Sequence, residues 1–363
     1  MRKFYLKKTI TAFSVLCFVL STCVPNQGFD RKNLLNNFAE NIILPATSAV
    51  VNSAKEFNNT IELLQARKDS TSLLNAQKAW DQLYQDWIKV GFLNFGPGGS
   101  EGRRRTLAEE VASWPVSTDE IEQKISAGDF GLDDAKRNSR GLLAIEYLLF
   151  AEEPSDFLSA TDLALRLSYL QAITSQVVAQ LGQFQDTWEK TYLQDFISND
   201  GTSVKSSVTL VYNEIVKALE TNRDIRLGIP MGFIAGQSGP QPDLAEARFS
   251  QKSINYLFLH HRSLINFWRG IGADGVDRPG LEDYLGAVQG GQDLADRINL
   301  RLTEVERTMN NVPLDQTFRT LAGEGNADLN DLHGQFKALT PLFKGESSSL
   351  LGLAITFSSG DGD

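Results

Sequence analysis

The segment Arg140-Gly141-Leu142-Leu143-Ala144-Ile145-Glu146-Tyr147-Leu148-Leu149-Phe150 constrains this chain more than any other. Apolar residues at 142, 143, 145, 148, 149 and 150 cover every side of a helix, and such a helix has to be enclosed by others. Glu146 is its single carboxylate. Burying a carboxylate is costly unless something pairs it or binds it. Glu146 is therefore either a working residue or a structural carboxylate satisfied by an arginine from a neighbouring helix, and spacing alone leaves both open.

Helical periodicity runs through the rest of the chain. Leu73, Ala76, Gln77, Trp80, Leu83, Tyr84, Trp87, Ile88 and Gly91 repeat at spacings of three and four, with Asp81, Gln82, Gln85, Asp86 and Lys89 outside the stripe. This reads as a core face and gives its tryptophans no ligand role. Leu34, Leu35, Phe38 and Ile42 make a similar stripe that meets Pro45, which should kink or interrupt the helix. Further helical patterns fall at roughly 160–190, 203–221, 245–269, 280–310 and 326–342. Sustained alternation with period two is nearly absent, which argues against a parallel sheet or a barrel. A chain of 363 residues exceeds the usual size of one core, so two domains or a duplicated bundle is expected.

The N-terminus reads as an export signal. Arg2, Lys3, Lys7 and Lys8 precede an apolar stretch from Ile10 to Leu20, too short for a permanent membrane span. Leu20-Ser21-Thr22-Cys23 is similar to a bacterial lipobox, in which the cysteine is lipidated and becomes the first mature residue. Thr22 stands where glycine, alanine or serine is usual, and a plain signal peptide cut nearby is the alternative. Cys17 would leave with the signal and Cys23 would carry lipid, so no thiol would remain for a disulfide, a metal site or a nucleophile. Losing the four basic residues of 1–22 takes the formal charge from −10 to −14. Such acidity excludes nucleic acid as the expected partner. It suits a cationic ligand, although acidity also serves solubility.

Two segments interrupt the helices. Gly96-Pro97-Gly98-Gly99-Ser100-Glu101-Gly102 follows a helix and lacks the Gly-Lys-Ser/Thr ending of a phosphate loop, so it reads as a flexible connector, with Arg103, Arg104 and Arg105 at the surface or ion-paired. Ile225 to Asp243, rich in glycine and proline, is long for a connection and should be disordered or a functional loop beside a cleft.

The apolar run resembles the G-x-H-x-x-E signature of the imelysin-like proteins, with Gly141 and Glu146 in place and Leu143 where histidine is usual. Positions three apart share a helix face, so a histidine at 143 would have begun a two-ligand metal site with Glu146. Leucine cannot coordinate a metal. The order of several other pieces is also similar to that family: Asn41-Ile42-Ile43-Leu44-Pro45-Ala46, Ala79-Trp80, Phe95-Gly96-Pro97, Ser113-Trp114-Pro115, Gly228-Ile229-Pro230-Met231-Gly232, Glu246-Ala247-Arg248-Phe249-Ser250-Gln251-Lys252-Ser253, and the terminus Ile355 to Asp363. The resemblance implies an all-α protein of two helical-bundle halves, exported by bacteria and linked to iron uptake, in a family whose name-giving member was described as a metallopeptidase. The implied division is a signal segment at 1–22, an N-terminal bundle at 23–200, a C-terminal bundle at 201–345 and a tail at 346–363. Iron or another divalent metal is the implied cofactor class, and iron-uptake components are the implied partners.

Catalysis finds little support in the residues. No H-E-x-x-H occurs, and His260, His261 and His333 are the only histidines. Adjacent His260 and His261 stand about 100° apart on a helix and would not share one metal. His261 falls on the stripe Ile254, Leu257, Phe258, Leu264, Ile265 and Trp268, so a hydrogen-bonded core histidine is expected there. No Ser-His-Asp arrangement is legible. Arg248 and Ser250 are the second-half residues expected near Glu146, where the arginine would neutralise the carboxylate or bind an anionic ligand group. The candidate ligand-binding residues are Gly141, Leu143, Glu146, Arg248 and Ser250, with no catalytic or metal residue assigned. The resulting expectation is a lipid-anchored cell-envelope protein, facing the periplasm or the cell surface, that binds a ligand in support of iron uptake without catalysis. The competing readings are a metal-dependent peptidase using Glu146 and a structural interaction protein with a degenerate site.

Overall fold

The computed structural model describes residues 28–100 and 105–357. The export segment with Cys23, the pair Arg103 and Arg104, and the last residues of the terminus lie outside the described part. Among the described residues the secondary structure is helical and no strand forms. None of these helices is long and apolar enough to cross a membrane.

Helix α1 (Arg31–Asn36) starts at Asp30, whose carboxylate accepts the Asn33 N–H. It passes through a π-turn at Asn37–Ile43 into α2 (Leu44–Arg67). The chain stays helical past Pro45, and the kink or interruption expected there takes the form of this wider turn, which shifts the pairing. Leu44 N–H reaches the Ala39 carbonyl five residues back, and the Asn41 carbonyl, which Pro45 cannot serve, accepts the Ala273 N–H at 2.8 Å. Helix α3 (Ser70–Ile88) opens on a capping box between Asp69 and Ser72 and packs its predicted stripe against α2.

Beyond α3 the Gly96–Gly98 turn is packed rather than a flexible connector. Pro97 and Gly98 are buried, and a Cβ on Gly98 would clash with the Leu93 carbonyl oxygen. The short α4 (Leu107–Val111) and α5 (Thr118–Ala127) lead to α6 (Leu142–Phe150), the motif helix. Helix α7 (Pro154–Ser159) connects to α8 (Leu163–Thr187), which lies along α2 and α6. Helices α2, α3, α6 and α8 make the first bundle.

Helix α9 (Leu193–Ser198) leads to α10 (Ser207–Glu220). The long loop expected from Ile225 is largely helical at its start: α10 continues through a π-turn at Thr221–Gly228 into α11 (Ile229–Met231). Conversely, the helix expected from 245 begins only at Ser253, since Ala247 and Gln251 adopt positive φ. That helix, α12 (Ser253–Arg269), is followed by α13 (Leu281–Gly286) and α14 (Gly291–Asn311), which divide the pattern at 280–310. Helix α15 (Phe318–Gly323) precedes α16 (Ala327–Pro341), and a π-turn at Leu342–Ser347 joins α16 to α17 (Ser348–Leu351). Helices α10, α12, α14 and α16 form the second bundle; Trp268 Nε1 on α12 donates to Asn299 Oδ1 on α14 at 2.9 Å. Residues 346–357 pack on it, with Leu351 and Leu353 buried and Asn213 bonding to Ala354 and Thr356.

The two bundles share one continuous apolar core. Helix α12 packs on α3, where the Tyr84 and Tyr256 rings meet at 4.8 Å and Tyr256 donates to Asp81 at 2.6 Å. Residues at the seam between the bundles therefore include buried polar groups from both.

Candidate functional site

Glu146 projects from α6 toward the coiled stretch 245–252 of the second half. It is 1% exposed, and its Oε1 accepts the Ser250 N–H at 2.7 Å. Burial pushes its carboxyl up to about 7, against the pull of the Ser250 and Phe249 N–H groups, and nearby Glu246 adds to the rise. The space beside it is only about 10 Å³. Leu143, one turn earlier, is fully buried. Gly141 sets the helix start: its φ of 84° and ψ of −171° belong to a region that only glycine enters readily, and a Cβ there would collide with the Val111 carbonyl. Its place in the motif is thus explained by close backbone packing.

Arg248 does not neutralise Glu146. Its guanidinium pairs with Asp243 at 2.9 Å and lies 4.3 Å from the Phe249 ring centre, with Arg319 reaching the same Asp243 carboxylate. The coil that presents Ser250 N–H to Glu146 turns Arg248 the other way. Ser250 Oγ bonds to the Ala247 carbonyl instead of entering a pocket. His261 is buried as expected, yet neither ring nitrogen finds a hydrogen bond among the described residues; the ring packs against Phe336 at 5.2 Å, and burial lowers its pKa to about 4.

The larger cavity lies next to this cluster, between the end of α3, α4 and the α10–α12 face, with a volume of about 520 Å³. Its floor is a buried network centred on Glu246. That carboxylate accepts Tyr84 OH at 2.6 Å and Arg226 Nε at 2.5 Å, and His260 Nε2 stands 3.4 Å away without forming a hydrogen bond. Burial alone would raise the Glu246 pKa, but Arg226 and His260 outweigh it and hold the carboxyl well below the usual range. Burial, reinforced by Arg226, lowers His260 to about 4, so its imidazole is neutral at pH 7. Arg226 also bonds to Asn222 Oδ1 at 3.1 Å and covers one face of Trp114 at 5.3 Å. The remaining wall carries Trp87, Phe92 and the carboxylate of Glu214, which accepts Asn94 Nδ2 at 3.1 Å. Burial raises the Glu214 pKa, opposed by Lys217 and Asn94.

Sequence reasoning placed Arg248 and Ser250 near Glu146, of which the structure joins Ser250 to it by a backbone hydrogen bond, and it missed the residues of the cavity. Glu246 sits in the same stretch as Arg248 and Ser250. Glu214 lies on the apolar stripe of Val211 and Ala218, the same signal that singled out Glu146. Trp87, read only as core, borders the cavity.

The model of the imelysin family, peptidase M75, matches residues 43–341. The chain belongs to the imelysin family. Two solved structures share its fold. One is described as an iron-regulated protein A precursor from Parabacteroides distasonis ATCC 8503, with a TM-score of 0.75 and 17% identity over 88% of this chain and 95% of that one. The other is an imelysin-like protein from Psychrobacter arcticum 273-4, with a TM-score of 0.73 and 17% identity over 90% of this chain and 97% of that one. No curated protein matches.

A metal at the imelysin motif does not fit these residues. Leu143 offers no donor atom, Glu146 is already bonded to Ser250, and Asp243, the other carboxylate lining the adjoining space of about 10 Å³, is taken by Arg248 and Arg319, the rest of that lining being apolar apart from Arg248. Among the described residues no three His, Cys, Asp or Glu side chains are grouped to hold an ion.

Proposed function

We propose that this imelysin-family chain is an exported, lipid-anchored ligand-binding protein of the bacterial cell envelope, non-catalytic and associated with iron uptake. The observation that carries the binding reading is the cavity of about 520 Å³ at the seam of the two bundles, walled by aromatic rings over a buried polar floor. Its size and mixed lining are those of small-molecule sites. The motif helix serves this cavity indirectly: Glu146 holds the coil 245–252, and that coil carries Glu246 into the floor. The signal-like residues 1–22 and Cys23 support export and anchoring. The iron link rests on the structural neighbour described as iron-regulated. Absence of catalysis is supported by Leu143 and by a carboxylate at 146 that faces no open space.

The test uses the full chain expressed in a bacterial host. Wild type should fractionate with membranes and Cys23→Ala with the soluble extract. Protein released gently from membranes should carry a bound small molecule in native mass spectrometry and should cleave no unstructured polypeptide, with or without zinc. Chelator-sensitive cleavage that disappears in Glu146→Gln would overturn the non-catalytic reading, and unchanged membrane partition of Cys23→Ala would overturn the anchor.

A further inference from the structure

We propose that the cavity binds an organic amine, with its ammonium group on the Glu214 carboxylate and its apolar body against Trp87, Phe92 and Trp114. The inference rests on the ligand-binding reading above and adds the charge and shape of the ligand.

The charges lining the cavity carry the argument. Three carboxylates line it: Glu109, Glu214 and Glu246. Glu246 is paired with Arg226 at 2.5 Å, and Glu109 with Arg137 at 2.6 Å. Glu214 has no cation within 4 Å among the described residues, and its hydrogen bond comes from the neutral amide of Asn94. Lys217, one turn further along α10, is exposed at the rim and makes no ion pair within 4 Å among the described residues, although its charge acts on Glu214 from there. A half-buried carboxylate beside apolar walls gains most from a cation that brings its own desolvated charge. The aromatic walls favour the same ligand, since ring faces attract cations and accept flat apolar groups. An anionic ligand meets the opposite situation inside the cavity, because Arg226 is already neutralised by Glu246 and Arg137 by Glu109, Glu214 would repel it, and the remaining lining cation, Lys217, stands at the exposed rim. At the inner end, His260 lines the cavity with its Nε2 3.4 Å from a Glu246 carboxylate oxygen.

Two probes of similar size and opposite charge test this on the whole mature protein by calorimetry: 2-phenylethylamine and 3-phenylpropanoate. The amine should bind and the carboxylate should not. Glu214→Gln keeps the size of the side chain and should weaken the amine about tenfold or more, the effect of removing a charge-assisted contact. Lys217→Ala, at an exposed position with no structural bond, should tighten amine binding by removing a competing cation. Equal affinity for both probes, unchanged amine affinity in a folded Glu214→Gln, or weaker binding in Lys217→Ala would each overturn the proposal. If the molecule released from native protein proves neutral or anionic, ligand binding stands and the amine assignment falls.

Discussion

Glu146 and Glu246 are buried carboxylates a few residues apart in space with opposite titration behaviour, and their partners explain the difference. Glu246 faces a guanidinium, whereas Glu146 receives only peptide and hydroxyl dipoles. For Glu146 the consequence is a pH-dependent cost. Below its ordinary value of 4.5 the carboxyl is protonated in both folded and unfolded chains and costs nothing. As pH rises from there to about 7 the unfolded chain ionises it first, so the folded state loses stability, reaching roughly 3 kcal/mol once pH exceeds about 7. His260 and His261, lowered to about 4, act in the opposite sense, since they penalise the folded state as pH falls below their ordinary 6.5. Comparing wild type with Glu146→Gln at each pH removes their contribution. The advantage of Glu146→Gln in urea unfolding should grow between pH 4.5 and 7.5; a difference that stays flat would mean that Glu146 is ionised and satisfied throughout. At this scale Glu146 was legible because a charge in an all-apolar run has no cheap explanation. Arg226 was not, because its role depends on Glu246, 20 residues on, and on a tyrosine, Tyr84, 162 residues from Glu246.

Helices were legible wherever period and apolar face coincide, as in α3, α8 and α12, and their interruptions were not. Pro45 was read as a kink or interruption, and the glycine- and proline-rich stretch Ile225 to Asp243 as disordered or a functional loop, yet π-turns carry the helix through the one and into the other. A π-turn is set by tertiary partners that accept the displaced backbone groups, and sequence periodicity does not record them. Pro45 shows the energetics. A proline inside a helix costs about 3 kcal/mol or more, partly through the unpaired carbonyl it leaves. Here that carbonyl, on Asn41, is bonded to Ala273, and the ring sits in the first turn of α2. Pro45→Ala should therefore shift the unfolding free energy by less than about 1 kcal/mol, read as a near-constant urea midpoint with unchanged slope. A gain near 3 kcal/mol would show that the π-turn is strained by the proline.

A chain of this length exceeds the size at which cores usually divide. The two bundles nevertheless meet through buried groups rather than a wet, polar interface. Glu246 from the second half is held by Tyr84 from the first, and Glu146 from the first is held by Ser250 from the second, so each half leaves a buried polar group unsatisfied when the other unfolds. The Asn41 carbonyl bonded to Ala273, and the Asn37 amide bonded to Gly270 at 2.8 Å, add two more such ties at the far end of the seam. Unfolding should thus be a single transition. Tryptophan fluorescence reports mainly on the first half, where Trp80, Trp87, Trp114 and Trp188 lie, with only Trp268 in the second; far-UV circular dichroism reports on both. The two signals should coincide across a urea titration. A fluorescence transition that leaves helical signal on a plateau would show independent halves. It would also weaken the binding reading, since a cavity built on residues from both bundles needs the seam intact.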